Sequence, residues 1–157
     1  MFEKGKIYNR RNDLHKHYGG QIQGGISTPS RHNFIMLFTS TTGAQYGYSD
    51  GWSNEGYLYT GEGQKGEMSF VRGNLAIRDH EKVGKSLHLF EYVSLGNVRY
   101  IGQMSYKSYI IKDAKDKDGY IRKIIVFILQ PIDQKITSGL SYHEVRFNVR
   151  AEYFTQH

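Results

Sequence analysis

Ile121-Arg122-Lys123-Ile124-Ile125-Val126-Phe127-Ile128-Leu129 decides the fold class. β-Branched and aromatic residues dominate this short run, and the Asp118-Gly119 pair just before it is a hairpin signal. Working outward, runs of the same kind stand at Asn33 to Thr39, Leu87 to Val93, Val98 to Ser105 and Glu144 to Tyr153. In the last, Val145, Phe147, Val149 and Ala151 alternate with Glu144, Arg146, Asn148 and Arg150, as a half-buried strand requires. Between Ile111 and Tyr120, Lys-Asp-Ala-Lys-Asp-Lys-Asp-Gly reads as a polar hairpin tip. Helical signals are confined to Asn12 to Tyr18, with Asn12 as the cap, and Gly73 to His80. With 18 Gly against 2 Pro, tight turns joining many strands predict a mainly β fold with small helices (α+β), a closed or nearly closed twisted β-barrel.

The 157 residues fit one domain, with 1–17 as an N-terminal extension and 134–157 as a last strand or connector. Twenty-one Lys and Arg oppose 15 Asp and Glu, a formal charge of +6, which favours a phosphate-rich partner. Thirteen Tyr against one Trp suit either a base-stacking surface or an ordinary Tyr-rich sheet core. The absence of cysteine excludes disulfides, thiol nucleophiles and zinc sites that need a Cys ligand, and is compatible with a cytoplasmic location. No secretory signal is visible, and no apolar run reaches the roughly 20 residues needed to span a bilayer.

Two stretches spend glycine and tyrosine together: Gln45-Tyr46-Gly47-Tyr48-Ser49-Asp50-Gly51-Trp52 and Tyr57-Leu58-Tyr59-Thr60-Gly61-Glu62-Gly63-Gln64. Glycine permits close backbone approach, rings offer flat faces, and Asp and Thr supply acceptors and a donor, so together they can line a slot for a planar base. The plain alternative makes Tyr48 and Tyr59 barrel aromatics, and Asp50-Gly51 and Gly24-Gly25 simple turns.

In order along the chain come Gln23-Gly24-Gly25-Ile26-Ser27, Tyr48-Ser49-Asp50-Gly51, Tyr59-Thr60-Gly61-Glu62-Gly63, Gly73-Asn74-Leu75-Ala76-Ile77, Gly84 to Phe90 and Val98 to Met104. This series resembles the SET- and RING-associated (SRA, or YDG) domain, a PUA-like barrel, and looks closest to the SRA-like domain of bacterial modification-dependent HNH restriction endonucleases. The resemblance covers roughly Tyr18 to Asp133. It implies a reader of 5-methylcytosine or 5-hydroxymethylcytosine in double-stranded DNA, one that flips the base and serves restriction and phage defence. Tyr48 and Tyr59 would sandwich the base, with Tyr46 as substitute for Tyr48. Asp50 would accept from the cytosine amino group, Thr60 would hold the pyrimidine edge, and Gly47 would leave room. Glu62 stands where the eukaryotic pattern has a small serine near the methyl group; it either accepts from a hydroxymethyl group or faces solvent. Ile22, Gln23, Gly24 and Ser27 would form a DNA-probing loop, and Lys65, Arg72, Arg78, Lys82 and Lys85 are candidate phosphate contacts, each equally readable as a solvated surface residue.

The resemblance implies no cofactor, no metal and no catalysis in this chain, the nuclease domain lying elsewhere. Asp79-His80 resembles the opening of an HNH site, but no matching Asn and second His follow at suitable spacing. Neither a Gly-x-Ser-x-Gly element nor a phosphate-binding loop occurs. The competing readings are a PUA-like reader of RNA or another modified nucleic acid, a standalone nucleobase or phosphodiester enzyme using Asp79 and His80, and a protein-interaction module.

Overall fold

A computed structural model describes residues 1–40 and 50–132. Eight strands make one sheet: β1 (Ile7–Asn9), β2 (Ile26–Ser27), β3 (Phe34–Thr39), β4 (Gly51–Ser53), β5 (Gly56–Thr60), β6 (Ser86–Ser94), β7 (Asn97–Lys115) and β8 (Ile121–Ile132). Their spatial order is β2-β3-β6-β7-β8-β5-β4, with β1 added to β7. β1 takes Asn97 to Arg99 of β7, while β8 pairs with it from Gln103 onward. Neighbours are antiparallel except β3 and β6, which run parallel from Phe34↔Ser86 to Thr39↔Glu91. The fold is mainly β with small helices, as the sequence predicts; among the described residues the twisted sheet curls like a barrel without closing.

Alternation along β3 shows how the sheet is buried on both faces. Ile35 and Leu37 join Tyr57, Tyr59, Leu87, Leu89, Ile125, Phe127 and Leu129 in one cluster, which Ile77 also enters. Phe34, Met36 and Phe38 point the other way, to Leu14, Phe90, Val98 and Tyr100. Phe2, Tyr8 and Tyr18 pack on this second cluster, so the stretch read as an N-terminal extension supplies both a strand and apolar cover.

The first helical segment corrects the expected cap. A π-helical stretch, Arg10–His15, leads into α1 (Lys16–Tyr18), and its cap is Asn9, whose side chain accepts from the Asn12 N–H at 2.8 Å. Asn12 is inside the helix. Asn9 sits at the end of β1 in extended conformation, which puts the capping oxygen over the free amides. The second helix, α2, spans Arg72–Arg78. β7 runs on past Ser105 to Lys115, so the polar hairpin is shorter than its sequence suggests and turns at 116–120, where Gly119 adopts φ +87°. The expected strand at Glu144 to Tyr153 lies outside the described residues, as does the connector before it.

Candidate nucleic-acid interface

The site is organised around Asp50. Its Oδ1 accepts the Thr60 N–H at 2.8 Å and its Oδ2 accepts the Thr39 hydroxyl at 2.5 Å. One carboxylate thus ties the start of β4 to the ends of β3 and β5. Burial raises its pKa, and the Thr39 and Thr60 contacts oppose that shift. The Thr60 hydroxyl also bonds this carboxylate, and with about four lone-pair sites on its two oxygens Asp50 still keeps acceptor capacity. Tyr57 lies on the same hydroxyl system through Thr39, and burial pushes its pKa up to about 12.

Tyr59 is only 2% exposed and belongs to the inner cluster. Its hydroxyl lies 2.7 Å from the Gly25 carbonyl and 3.1 Å from that of Phe38, and donates toward both. It therefore fastens β5 to the loop before β2 and stays protonated, since burial raises its pKa well above the usual phenol value. Tyr46, Gly47 and Tyr48, the other expected walls of a base pocket, lie outside the described residues.

Glu62 follows Thr60 by two positions. Its backbone is gripped by Asn74, which is 1% exposed: Oδ1 accepts from the Glu62 N–H at 2.8 Å, and Nδ2 donates to the carbonyls of Glu62 at 2.9 Å and Ser69 at 3.0 Å. Partial burial raises the Glu62 pKa, and the Gly73 N–H donated to its carboxylate opposes this. A Cβ at Gly73 would stand 2.2 Å from Glu62 Oε1, so the carboxylate keeps this position only against a glycine.

Loop, carboxylate and helix meet at a cavity of about 510 Å3, lined by Gln21, Gln23, Gly24, Ile26, Thr28, Glu62, Arg72, Gly73, Ala76 and Lys85. Of the expected probing residues, Gln23 and Gly24 line it, and Ile22 is 46% exposed on the same loop. Ser27 is instead fully buried in β2, paired with Met36.

Of the expected phosphate contacts, Arg72 and Lys85 line the cavity, and neither forms an ion pair among the described residues. Arg72 has φ +48°, the one positive value at a non-glycine described residue; such backbone is costly and concentrates at sites of function. The others are engaged elsewhere. Lys65 meets Asp118 at 3.1 Å, Lys82 meets Asp79 at 3.8 Å, and Arg78 meets Asp79 at 3.0 Å while lying 4.9 Å from the Phe70 ring.

Sequence reasoning missed Arg10. It is 5% exposed, yet Nε donates to His15 Nε2 at 2.9 Å, Nη1 to the Tyr92 hydroxyl at 2.7 Å and Nη2 to the Gln21 carbonyl at 3.1 Å. Its guanidinium stacks 3.7 Å from the Phe38 ring centre. Asn74 also carried a signal only in hindsight, as the Asn after the glycine of Gly73-Asn74.

The Asp79-His80 pair is built for structure. His80 is 3% exposed, its Nδ1 donates to the Lys85 carbonyl at 2.7 Å, and its Nε2 accepts the Tyr106 N–H at 3.0 Å. Both ring nitrogens are spent. No group of His, Asp or Glu suited to a metal ion occurs among the described residues, and none of their helices is long and apolar enough to cross a membrane.

The sequence model of one family, described as "ScoMcrA-like, SRA domain", matches residues 4–144. No curated protein sequence matches the chain. Among solved structures, the sulfur binding domain and SRA domain of ScoMcrA complexed with phosphorothioated DNA superposes with TM-score 0.72 at 18% identity, over 96% of this chain and 45% of that one. The DNA recognition domain of the cytosine modification-dependent restriction endonuclease LpnPI gives 0.62 at 13% identity, over 83% and 73%. The SUVH5 SRA domain bound to fully hydroxymethylated CG DNA gives 0.59 at 20% identity, over 83% and 89%. Likeness at these identities establishes a shared fold, and the chain spans less than half of the ScoMcrA structures.

Proposed function

Because this chain belongs to the ScoMcrA-like SRA domain family, we propose that it is the DNA-recognition module of a modification-dependent restriction system and that it extrudes a 5-modified cytosine from the duplex. The observation that carries this is the Asp50 clamp. A half-buried carboxylate, fixed by Thr39 and Thr60, is a preformed acceptor for an exocyclic amine. Gln23, Gly24 and Ile22 follow the duplex as the probing loop, while Arg72 and Lys85 attract phosphate from the same side.

The energetics require several contacts at once. Extruding a base costs a few kcal/mol and stacking returns about 1–3 kcal/mol per ring, so one ring alone roughly balances the cost. Tyr48 and Tyr59, with Tyr46 in reserve, are the proposed walls, and Gly47 leaves space beside them. In the free domain the Tyr59 face is covered, so a base stacking on it displaces its present neighbours. Glu62 sits two residues beyond the clamp and accepts from a 5-hydroxymethyl group. No catalytic step belongs to the chain; cleavage is assigned to a separate HNH domain of the same system.

Titration of duplexes carrying cytosine, 5-methylcytosine or 5-hydroxymethylcytosine at one salt concentration tests the reading. Both modified duplexes should bind more tightly. Asp50→Asn should erase most of that preference, about 1–3 kcal/mol for a lost base-edge contact, while the salt dependence of binding to plain duplex persists. Equal affinity for all three duplexes would sink the proposal.

A further inference from the structure

Arg10 lies against the second apolar cluster, on Phe38, and among the described residues its guanidinium has no carboxylate beside it. Among the described residues, every hydrogen bond it makes goes to a neutral acceptor: His15 Nε2, the Tyr92 hydroxyl and the Gln21 carbonyl. Burying a cation this way is expensive, and stacking on Phe38 at 3.7 Å offsets only part of the cost. The arrangement therefore calls for a purpose beyond packing.

That purpose is legible in what the third bond holds. Gln21 immediately precedes Ile22, and its side chain closes the loop on itself: Oε1 accepts the Thr28 N–H at 2.7 Å and Nε2 donates to Thr28 Oγ1 at 3.0 Å. His15, whose Nε2 takes the Arg10 proton, must carry its own hydrogen on Nδ1, which donates to the Gly19 carbonyl at 2.8 Å. Arg10 thus grips the loop at Gln21 directly and at Gly19 through His15. On the far side, the Gly25 carbonyl accepts from the Phe38 N–H at 2.7 Å and from Tyr59. Between these anchors only Ile22, Gln23 and Gly24 are left projecting, and all three are exposed.

We propose that Arg10 is a positioning residue for DNA recognition: by holding the Gln21 carbonyl it fixes the point from which Ile22 and Gln23 meet the duplex, so the loop is ordered before DNA arrives. Its effect on DNA rests on the reading of this loop as the probing element; its hold on the loop does not. Preorganisation of this kind removes an ordering cost from binding, and it concerns specific contacts rather than phosphate attraction.

The test uses Arg10→Lys, Ile22→Ala and the double variant. Lysine keeps the charge but cannot reach three acceptors at once. In the free protein, Arg10→Lys should speed amide hydrogen exchange about tenfold or more at Gly19 and Thr28, whose N–H groups are held by the His15 carbonyl and the Gln21 side chain, leaving β6 and β7 unchanged. On a methylated duplex it should weaken binding about tenfold in the wild-type background and less than twofold in the Ile22→Ala background, because residues acting through each other are not additive. The salt slope should stay the same. Unchanged loop exchange, exchange raised equally in β6 and β7, or additive losses in the cycle would each overturn the proposal. Should Arg10→Lys fail to fold, Tyr92→Phe removes one acceptor and supports the same cycle with a smaller effect. If the wild type does not prefer modified duplex, the recognition reading fails, while the exchange experiment still decides whether Arg10 holds the loop.

Discussion

Two loops flank the cavity, and they are held by opposite devices. Residues 61–70 are anchored to β8 by backbone bonds, Gly61 N–H to the Ile125 carbonyl at 2.8 Å and Met68 N–H to that of Lys123 at 3.0 Å. Asn74 then grips Glu62 and Ser69, and Arg122 donates to the carbonyls of Gly63 at 2.6 Å and Gly66 at 3.2 Å. Residues 19–25 have no such strand beside them until Gly25 and depend on side chains: Arg10, His15, Gln21 and Tyr59. A loop sewn into a sheet keeps its backbone course when one side chain is lost, even where that loss costs stability. A loop hung from side chains transmits each one.

The largest test of this contrast is Asn74→Leu. A shape-matched apolar residue leaves the Glu62 N–H and two carbonyls without their partner, and each part-buried hydrogen bond lost costs about 1 kcal/mol. Urea denaturation should show a loss of several kcal/mol; a loss under about 1 kcal/mol would mean that Arg122 and β8 suffice. Next comes Tyr59→Phe, which removes the hydroxyl tie to Gly25 and should cost on the order of 1 kcal/mol. Its exchange signature should appear at the Phe38 amide, which the Gly25 carbonyl holds, and not at the Glu62 and Met68 amides, and equal change in both loops would blur the distinction.

The smallest effect is one of acidity. Burial, with the Arg10 charge adding to it, lowers the His15 pKa below 6.5, while the bond to Gly19 opposes the shift. The folded state therefore takes up this proton less readily than the unfolded chain. Stability from neutral His15 is full above pH 6.5 and is lost as pH falls from there toward the lowered value. Once charged, its Nε2 can no longer accept from Arg10. Hydrogen exchange corrected for intrinsic rates should quicken at the Gly19 and Thr28 amides between pH 7 and 5 relative to those of Glu62 and Met68, whose side-chain anchors include no histidine.

The sequence spoke clearly where the determinants were local. β3, β6 and β8 show as runs of β-branched and aromatic residues because both their faces are packed, and Gly73 to His80 announces α2 within two residues at either end. The far half of β7 was silent: Lys107 to Lys112 are mostly exposed, so no burial period marks the strand, and pairing with β8 alone defines it. Asn9 lost to Asn12 as the expected cap because both are Asn near a helical run and only φ and ψ separate them. At the site, Asp50 and Glu62 stood out by the residues around them, whereas Arg10 was invisible, since an arginine in sequence reads as surface. Ser27 resembled a loop residue only because β2 is two residues long. Tyr59 could be read as wall or as core, and the free domain shows it packed in the core.

The parallel pairing of β3 with β6 has a consequence for how the domain comes together. Parallel neighbours cannot be joined by a tight turn, so the chain must leave the end of β3 and come back to the start of β6 before β3 can join the β6-β7-β8 meander. The excursion between them carries β4, β5, Glu62 and α2. Closing so long a segment makes folding slower than a chain of hairpins would be. In return, its length can drift at small thermodynamic cost while the register of β3 on β6 stays put. The segment that carries Asp50, Glu62 and Arg72 is thus a replaceable cassette, free to be rewritten between two strands whose register does not depend on its length.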